Sequence, residues 1–147
     1  MKPLNEMTLC FESRSCNEGF ARTAAAAFTA QLDPTVGELN EIRTVVSEAV
    51  TNCVVHAYRN TIGSIRLNIR IMPGNTVVIR VKDSGCGIED VKKAMEPLFT
   101  TAPDEERAGL GFAVMQSFSD GVKVRSVVGK GTTVTITKKL SLRCSDV

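Results

Sequence analysis

Two neighbouring segments in the middle of the chain alternate apolar and polar residues, and this alternation constrains the fold more than any other feature. Isoleucine or leucine fills every second position from 65 to 71, and valine or isoleucine does so from 77 to 81. Such alternation predicts half-buried strands, because successive side chains of a strand point to opposite faces. The Pro-Gly-Asn turn at 73–75 indicates that the two strands pair as a hairpin. The polar positions would face water: Arg66, Arg70, Arg80 and Lys82.

Helical and strand patterns follow one another along the rest of the chain. Strands are expected over 7–13, 122–128 and 132–140, and helices over 17–31, 36–58, 88–95 and 109–117. The length of 147 residues suits one domain, so we predict a single domain over 1–140 and a disordered tail over 141–147. The fold class indicated is α+β: a two-layer sandwich in which helices cover one face of a mixed, mostly antiparallel sheet.

The composition argues against several classes of function. The net charge of +2 is too small to favour direct binding of nucleic acid or membrane. The five cysteines are odd in number and form no CxxC pair, and the chain has a single histidine, so a zinc cluster is not expected. The sequence has no signal-peptide pattern and no apolar stretch long enough to span a bilayer. We therefore expect reduced thiols and a cytoplasmic protein.

A line of polar residues interrupts the second predicted helix. Glu48, Asn52 and His56 recur every four residues among small and apolar neighbours, which would place them on one helix face. A buried carboxylate or carboxamide is costly without partners, so the line predicts a polar ligand. Asn52 offers an oxygen that suits Mg²⁺, and Glu48 could orient or deprotonate a nucleophile. An internally satisfied asparagine and a surface glutamate are the alternative, and we interpret His56 as a packed side chain.

A glycine-rich segment, Asp-Ser-Gly-Cys-Gly at 83–87, directly follows the second strand of the hairpin. Gly85 and Gly87 would let the backbone approach a ligand closely. Asp83 could accept a hydrogen bond from an exocyclic amine, such as the one that adenine carries at N6. A glycine-rich turn capped by aspartate explains the same residues about equally well.

Two further glycine segments follow. Gly109, Leu110 and Gly111 open a predicted helix, where free amides and the helix dipole favour phosphate. The segment at 129–133 places Thr132 at the entry of a strand and alone indicates only a hairpin turn.

Residues 98–108, between the glycine segments at 83–87 and 109–111, lack apolar periodicity. They contain Thr100, Thr101 and Arg107, and they could close as a lid over phosphates. The acidic residues at 104–106 would equally suit a mobile surface loop, which is the alternative.

The order of these segments is more specific than any one of them. A helix with ExxxN, a strand ending in DxGxG, a loop, GLG at a helix start and GKGT before a strand follow one another from about 38 to 140. This order resembles the ATP-binding superfamily of gyrase, Hsp90, MutL and the histidine kinases, which has the Bergerat-type fold. The resemblance implies ATP or ADP with Mg²⁺ as cofactor, Asn52 as the Mg²⁺ ligand and Asp83 as the adenine anchor. It also implies a set of residues that line the nucleotide: Gly85, Gly87, Gly109, Leu110, Gly111 and Thr132.

Residues 47–58, 96–101 and 106–112 are more similar to the anti-sigma factor serine kinases of endospore-forming bacilli than to sensor histidine kinases, and 17–22 and 30–34 extend the similarity. The resemblance implies a homodimer that binds and inhibits a sporulation sigma factor, sigma F. It also implies ATP-dependent phosphorylation of a serine on an anti-anti-sigma antagonist, which inactivates that antagonist. Glu48 would be the catalytic base, and Thr100 and Thr101 would belong to the lid. Arg107 would neutralise charge on the transferring phosphoryl group.

Several alternatives remain open at this point. Ala108 stands where many relatives carry a third glycine. An ATP-binding anti-sigma module without phosphotransfer fits the same motifs, and so does the catalytic domain of a histidine kinase, although the only histidine is His56. Glu18 and Arg22 share a helix face that we hypothesise contacts a partner, while a plain i,i+4 ion pair is the alternative. A strand edge near the N-terminus is a candidate dimer surface.

Overall fold

A computed structural model describes residues 2–96 and 111–141. Five strands form one sheet in the order β1-β2-β3-β5-β4. The strands are β1 (Asn5–Glu12), β2 (Ser64–Met72), β3 (Thr76–Asp83), β4 (Gly121–Val127) and β5 (Gly131–Lys139). Every strand pairing in these ranges is antiparallel. The α+β prediction is confirmed, with a sheet that is antiparallel throughout the described part instead of mixed.

Helices cover one face of this sheet. The described helices are α1 (Cys16–Thr29), α2 (Val36–Asn52), α3 (Val91–Ala94) and α4 (Gly111–Ser117). A 3₁₀ turn (Ala30–Leu32) follows α1, and a π-helical turn (Cys53–Ala57) follows α2. Within the described ranges, no helix is both long and apolar enough to cross a membrane.

The core lies between α2 and the central strands. The register of the β2–β3 hairpin pairs Leu67 with Val81 and Ile69 with Ile79, and all four side chains are buried. They belong to the same buried cluster as Val46 of α2. Each fully buried aliphatic side chain of this kind contributes about 1.5–3 kcal/mol through removal of apolar surface from water. The alternation read from the sequence therefore sets which face of the sheet the helices cover.

A capping box fixes the start of α2 and ties it to the end of the sheet. Thr35 Oγ1 accepts from the amide of Glu38 at 3.0 Å, and the amide of Thr35 donates to Glu38 Oε1 at 2.9 Å. Glu38 Oε2 also accepts from the amide of Ser141 at 2.7 Å. Burial alone would raise the pKa of Glu38, but the hydrogen bonds from Thr35 and Ser141 outweigh it and lower that pKa. The remainder of the predicted tail, 142–147, lies outside the described residues.

Three helix boundaries differ from the sequence prediction. The α-helical part of α2 ends at Asn52 instead of continuing to residue 58. The next turn is π-helical, with the amide of Tyr58 donating to the carbonyl of Cys53 at 3.1 Å, so His56 lies in a π-helical turn instead of the predicted α-helix. The first helix runs over 16–29 instead of 17–31, and the helix predicted over 88–95 is the single turn α3, capped by Asp90.

Candidate functional site

A cavity of about 590 Å³ lies between the C-terminal half of α2 and the ends of β3 and β5. Polar side chains from different segments line it, including Glu48, Asn52, Asp83 and Thr132. Apolar side chains such as Val134 complete the wall. A concave site with a few convergent polar groups on an otherwise apolar wall is typical of small-molecule binding.

Asp83 occupies the inner end of this cavity because it continues the buried face of β3. Val77, Ile79, Val81 and Asp83 alternate with exposed or half-buried residues, and Asp83 is only 5% exposed. Its Oδ1 accepts from the amides of Gly85 at 2.9 Å and Thr132 at 3.2 Å. These donors compensate the burial of the carboxylate, which would otherwise cost several kcal/mol. They also fix its orientation.

The other oxygen of Asp83 meets a cysteine. The thiol of Cys53, 4% exposed, donates to Asp83 Oδ2 at 3.5 Å. Burial raises the pKa of the Cys53 thiol well above its ordinary value, and the neighbouring Asp83 charge and the hydrogen bond to it raise it further. Cys53 is therefore a neutral donor at physiological pH. Since a carboxylate oxygen can accept more than one hydrogen bond, Oδ2 retains capacity for a further donor in the cavity.

A chain of hydroxyl groups lies beside Asp83. Thr132 Oγ1 and Ser126 Oγ are 2.8 Å apart across the β4–β5 pair, and Ser126 Oγ accepts from the amide of Ile88 at 2.7 Å. This chain connects the β4–β5 hairpin to the segment that follows the glycine-rich turn. Both hydroxyl groups can donate or accept, so the chain can adapt to a ligand.

The glycines of the 83–87 turn are required mainly by contacts within the protein. A Cβ on Gly85 would lie 2.3 Å from the carbonyl oxygen of Ala57, and one on Gly87 would lie 2.5 Å from that of Val127. Gly87 also has a positive φ of 80°. Gly131 is equally constrained, since its Cβ would lie 2.2 Å from the carbonyl oxygen of Asp83. Gly87 lines the cavity, whereas Gly85 supports the turn from behind.

Glu48, Asn52 and the start of α4 meet at another part of the cavity. Glu48 is 3% exposed, in contrast to the surface position that the alternative interpretation gave it. A Cβ on Gly111 would lie 3.2 Å from Asn52 Oδ1 and 3.3 Å from Glu48 Oε2, so the two oxygens face one small space that a side chain would fill. A carboxamide and a carboxylate oxygen are hard ligands of the kind that Mg²⁺ prefers, so the residues present fit that ion. No group of three or more His, Cys, Asp or Glu that could hold a metal occurs within 2–96 and 111–141.

Comparison with known proteins identifies the family. Residues 13–138 match the model of the histidine kinase-like ATPase domain. The chain is 57% identical over 138 residues to the anti-sigma F factor of Thermoanaerobacter sp. (strain X514), covering 94% of this chain and 96% of that protein. It is 59% identical over 134 residues to the anti-sigma F factor of Caldanaerobacter subterraneus subsp. tengcongensis, covering 91% and 93%. This chain belongs to the anti-sigma F factor family. The resemblance inferred from the sequence is thereby confirmed.

Solved structures with low sequence identity share the fold of this family member. The RsbU and RsbW domains of Rv1364c from Mycobacterium tuberculosis superpose with a TM-score of 0.69 at 20% identity, over 95% of this chain and 33% of that one. Full-length ShkA, in complex with AMPPNP, gives a TM-score of 0.59 at 21% identity, over 86% of this chain and 30% of that one. These likenesses support the ATPase-domain fold.

The cavity brings together most of the site residues predicted within the described ranges. Of that set, those lining it are Glu48, Asn52, Asp83, Gly87, Gly111 and Thr132. Gly85 lies behind the cavity lining, and the remaining predicted residues lie outside the described ranges: Thr100, Thr101, Arg107, Gly109 and Leu110.

Glu18 and Arg22 lie on α1, away from the cavity lining. Arg22 Nε is 3.7 Å from Glu18 Oε2, and the Ser47 hydroxyl donates to Glu18 Oε1. The ion pair of the alternative interpretation is thus present, and the partner contact stays a prediction.

Sequence reasoning missed two residues of the site. Cys53 looks in the sequence like one more small apolar residue of α2, and only its proximity to Asp83, 30 positions away, gives it a role. Ser126 is an ordinary polar residue of a strand until the β4–β5 register sets it opposite Thr132. The alternation of Val122, Val124 and Ser126 on the inward face of β4 is the signal that could have found it.

Proposed function

We propose that this chain is an ATP-dependent protein serine kinase and an anti-sigma factor. It binds and inhibits a sporulation sigma factor, sigma F, and it phosphorylates and so inactivates an anti-anti-sigma antagonist. The observation that carries this proposal is one cavity that holds Asp83 at one part and Glu48 with Asn52 at another, in a member of the anti-sigma F factor family.

Asp83 would recognise the adenine of ATP or ADP. Two backbone amides occupy Oδ1, and one thiol donates to Oδ2, which leaves Oδ2 as the acceptor for an exocyclic amino group. The hydroxyl of Thr132, hydrogen-bonded to Ser126, would adapt to a ring nitrogen. The AMPPNP complex of ShkA supports a triphosphate as the ligand of this fold. Gly109 and Leu110 would border the phosphates beside Gly111.

Asn52 would hold the metal ion. Its carboxamide oxygen faces the space in front of Gly111, and a neutral oxygen ligand suits an ion that retains several waters and takes further ligands from phosphates. When bound, Mg²⁺ supplies positive charge against the phosphate oxygens and lowers the cost of their approach by a nucleophile.

Glu48 would act as the catalytic base. The serine oxygen of the antagonist forms the new bond to the γ-phosphorus, and the bond from that phosphorus to the β,γ-bridging oxygen breaks, so ADP leaves. The hydroxyl proton passes to Glu48, whose Oε2 borders the same space as Asn52 Oδ1. Arg107 would neutralise charge on the transferring group, with Thr100 and Thr101 in a closing lid. These three residues are proposed from the family resemblance.

The remaining assignments concern assembly and location. A homodimer could form through β1 (Asn5–Glu12), which lies at an edge of the sheet and leaves one side of its backbone unpaired in the described part. Glu18 and Arg22 would contact a protein partner from the exposed side of α1. Four cysteines within the described ranges are free thiols, which accords with the cytoplasm, where a sigma factor acts.

Phosphotransfer from labelled ATP to the purified antagonist tests the proposal. Glu48→Gln should retain nucleotide binding within about threefold and lose at least about a hundredfold in transfer rate, because the base is removed and the shape is retained. Asn52→Ala should lose Mg²⁺-dependent nucleotide binding. The control is Asn40→Ala on the exposed part of α2, which should leave nucleotide binding and phosphotransfer unchanged.

Unimpaired phosphotransfer by Glu48→Gln would contradict the assignment of Glu48 as the catalytic base. No transfer by the wild-type chain, with nucleotide and sigma factor bound, would favour a binding module.

A further inference from the structure

The face of the sheet turned away from the helices is strongly cationic. Antiparallel pairing aligns its outward residues in rows across the strands. One row runs Cys10, Arg66, Lys82, Thr133 and Arg125, and the next contains Asn68, Arg80, Thr135 and Lys123. Residue pairs of this kind stand about 5 Å apart across neighbouring strands. Arg70 stands beside these rows, so six of the 18 lysines and arginines of this nearly neutral chain lie close together on one surface.

Acidic side chains neutralise little of this charge. Glu6 accepts from Asn68 Nδ2 at 2.8 Å and from Arg70 Nε at 2.7 Å, and these contacts, with the nearby charges of Arg70 and Arg80, lower the pKa of Glu6. Glu12, the other acidic residue that β1 places on this face, forms an ion pair with Arg14 at 3.1 Å. Within 2–96 and 111–141, the side chains of the five cations in these two rows make no hydrogen bond or ion pair: Arg66, Arg80, Lys82, Lys123 and Arg125.

The arrangement carries an electrostatic cost in the isolated chain. Arg66 stands directly opposite Lys82, and like charges directly opposite on one face destabilise a sheet. These side chains border a groove of about 460 Å³ together with Glu6, Thr8, Asn68, Arg70 and Arg80. An anionic partner in the groove would convert this repulsion into attraction. The face is therefore more favourable in a complex than alone.

We propose that this outward face docks an acidic segment of a protein partner. Its charge pattern fits a polypeptide better than a nucleic acid. The described strands place no aromatic side chain on this face, which removes the stacking on which sheets that bind single strands depend. Glu6 stands among the cations, where it would repel the continuous charge of a phosphate backbone, whereas a peptide can place an uncharged residue beside it. The net charge of +2 gives little long-range attraction for a polyanion.

The spacing of the cations indicates an acidic helix lying across the strands. Neighbouring strands are about 4.8 Å apart, and residues three or four positions apart on a helix are about 5–6 Å apart. Carboxylates on successive turns could therefore reach Arg66 and Lys82 together, with Arg125 two strands beyond. This face lies on the side of the sheet opposite the nucleotide cavity, so the docking is independent of the proposed phosphotransfer.

Binding of a labelled probe peptide to the full chain tests the proposal. The probe is a helical peptide with glutamates every four residues, compared with a scrambled peptide of the same composition. At low ionic strength, fluorescence anisotropy should show that R66E/K82E weakens binding of the probe by about tenfold or more. The control variant R43E/K130E makes the same change in net charge elsewhere and should stay within about twofold. The scrambled peptide should bind less tightly than the probe.

Three outcomes would overturn the proposal. The probe could bind R66E/K82E as tightly as the wild-type chain, or the control variant could weaken binding equally, which would make net charge the cause. An oligonucleotide could bind with dependence on Arg66 and Lys82 while the peptide does not. Thermal unfolding and nucleotide affinity establish that each variant is folded. If the reversals prevent folding, R66Q/K82Q takes their place, with about threefold weakening expected and no weakening contradicting the proposal.

Discussion

The two faces of the sheet treat polar residues in opposite ways, although the same strands carry both. On β3, Asp83 faces the helices and Lys82 faces outward. Asp83 is buried and receives three hydrogen bonds, from two amides and a thiol. Lys82 is exposed and has no ion-pair partner in the part of the chain that the structure describes. The difference follows from hydration, because water solvates an exposed ammonium, whereas a largely buried carboxylate needs hydrogen-bond donors from the protein.

Two lysines show the same contrast between the faces. Lys138 lies on the inward face of β5 and is 7% exposed. Its Nζ contacts Glu41 Oε1 at 3.1 Å and donates to the carbonyl oxygen of Phe118 at 2.9 Å, which joins β5 to α2 and to the end of α4. An inward charge is thus satisfied by partners from distant segments, whereas an outward charge remains available. Residues of the same chain pair with the charges of the inward face, whereas a partner protein could pair with the charges of the outward face.

The largest difference between the faces is expected from one substitution on each side of β3. Asp83→Ala leaves the amides of Gly85 and Thr132 without their acceptor, so it should lower the free energy of unfolding by about 3 kcal/mol or more. It should also abolish nucleotide binding. Arg80→Ala removes an outward cation without a hydrogen bond and should change stability by less than about 0.5 kcal/mol. Urea unfolding and nucleotide titration measure both. If the two variants lost the same free energy of unfolding, the contrast between the two faces of the sheet would be wrong.

A smaller difference is expected between two glycines. Gly85→Ala would place its Cβ 2.3 Å from the carbonyl oxygen of Ala57, and it should cost about 2 kcal/mol because two backbone segments must separate. Gly121→Ala, at the exposed start of β4, meets nothing within 4 Å and should be neutral or stabilise by a few tenths of a kcal/mol. Thermal unfolding of the two variants, compared at equal nucleotide concentration, measures the difference. A stable Gly85→Ala protein would show that the turn can move away from Ala57.

The smallest difference in free energy of unfolding is expected between substitutions at two cysteines, and this difference depends on pH. Cys53→Ala removes the thiol that donates to Asp83 and should cost about 1 kcal/mol at neutral pH, while Cys10→Ala on the outward face should cost almost nothing. Because burial raises the pKa of Cys53 in the folded chain, its stabilisation is complete below the unfolded thiol pKa. It is lost as pH rises above about 8.5. The gap between Cys53→Ala and wild type should therefore narrow at alkaline pH, measured by urea unfolding. A gap that widens would contradict the assigned direction.

The sequence predicted those features that depend on local patterns. Period-two alternation predicted β2 and β3 and their pairing. The motif order grouped Glu48, Asn52, Asp83, Gly111 and Thr132 into one site; all five line the same cavity, while their roles stay predictions.

Features that depend on distant contacts could not be predicted in this way. The π-helical turn after Asn52 is packed against the glycine-rich turn, where the amide of Cys86 donates to the carbonyl of Ala57 at 3.0 Å. The sequence around His56 continues an α-helical pattern, and nothing local indicates that the helix widens. Gly85 was predicted for a sound reason, close approach of the backbone, but the group that it approaches is Ala57 of the same chain.

The two amides that share Asp83 Oδ1 have a consequence for motion. Gly85 and Thr132 belong to segments that are separated by most of the C-terminal half of the chain, yet both hold the same atom. Neither segment can swing away without breaking its bond to that carboxylate. A ligand that binds Asp83 Oδ2 would restrain both segments at once. The amide protons of Gly85 and Thr132 should therefore exchange with solvent at similar rates, and both rates should fall when a ligand fills the cavity.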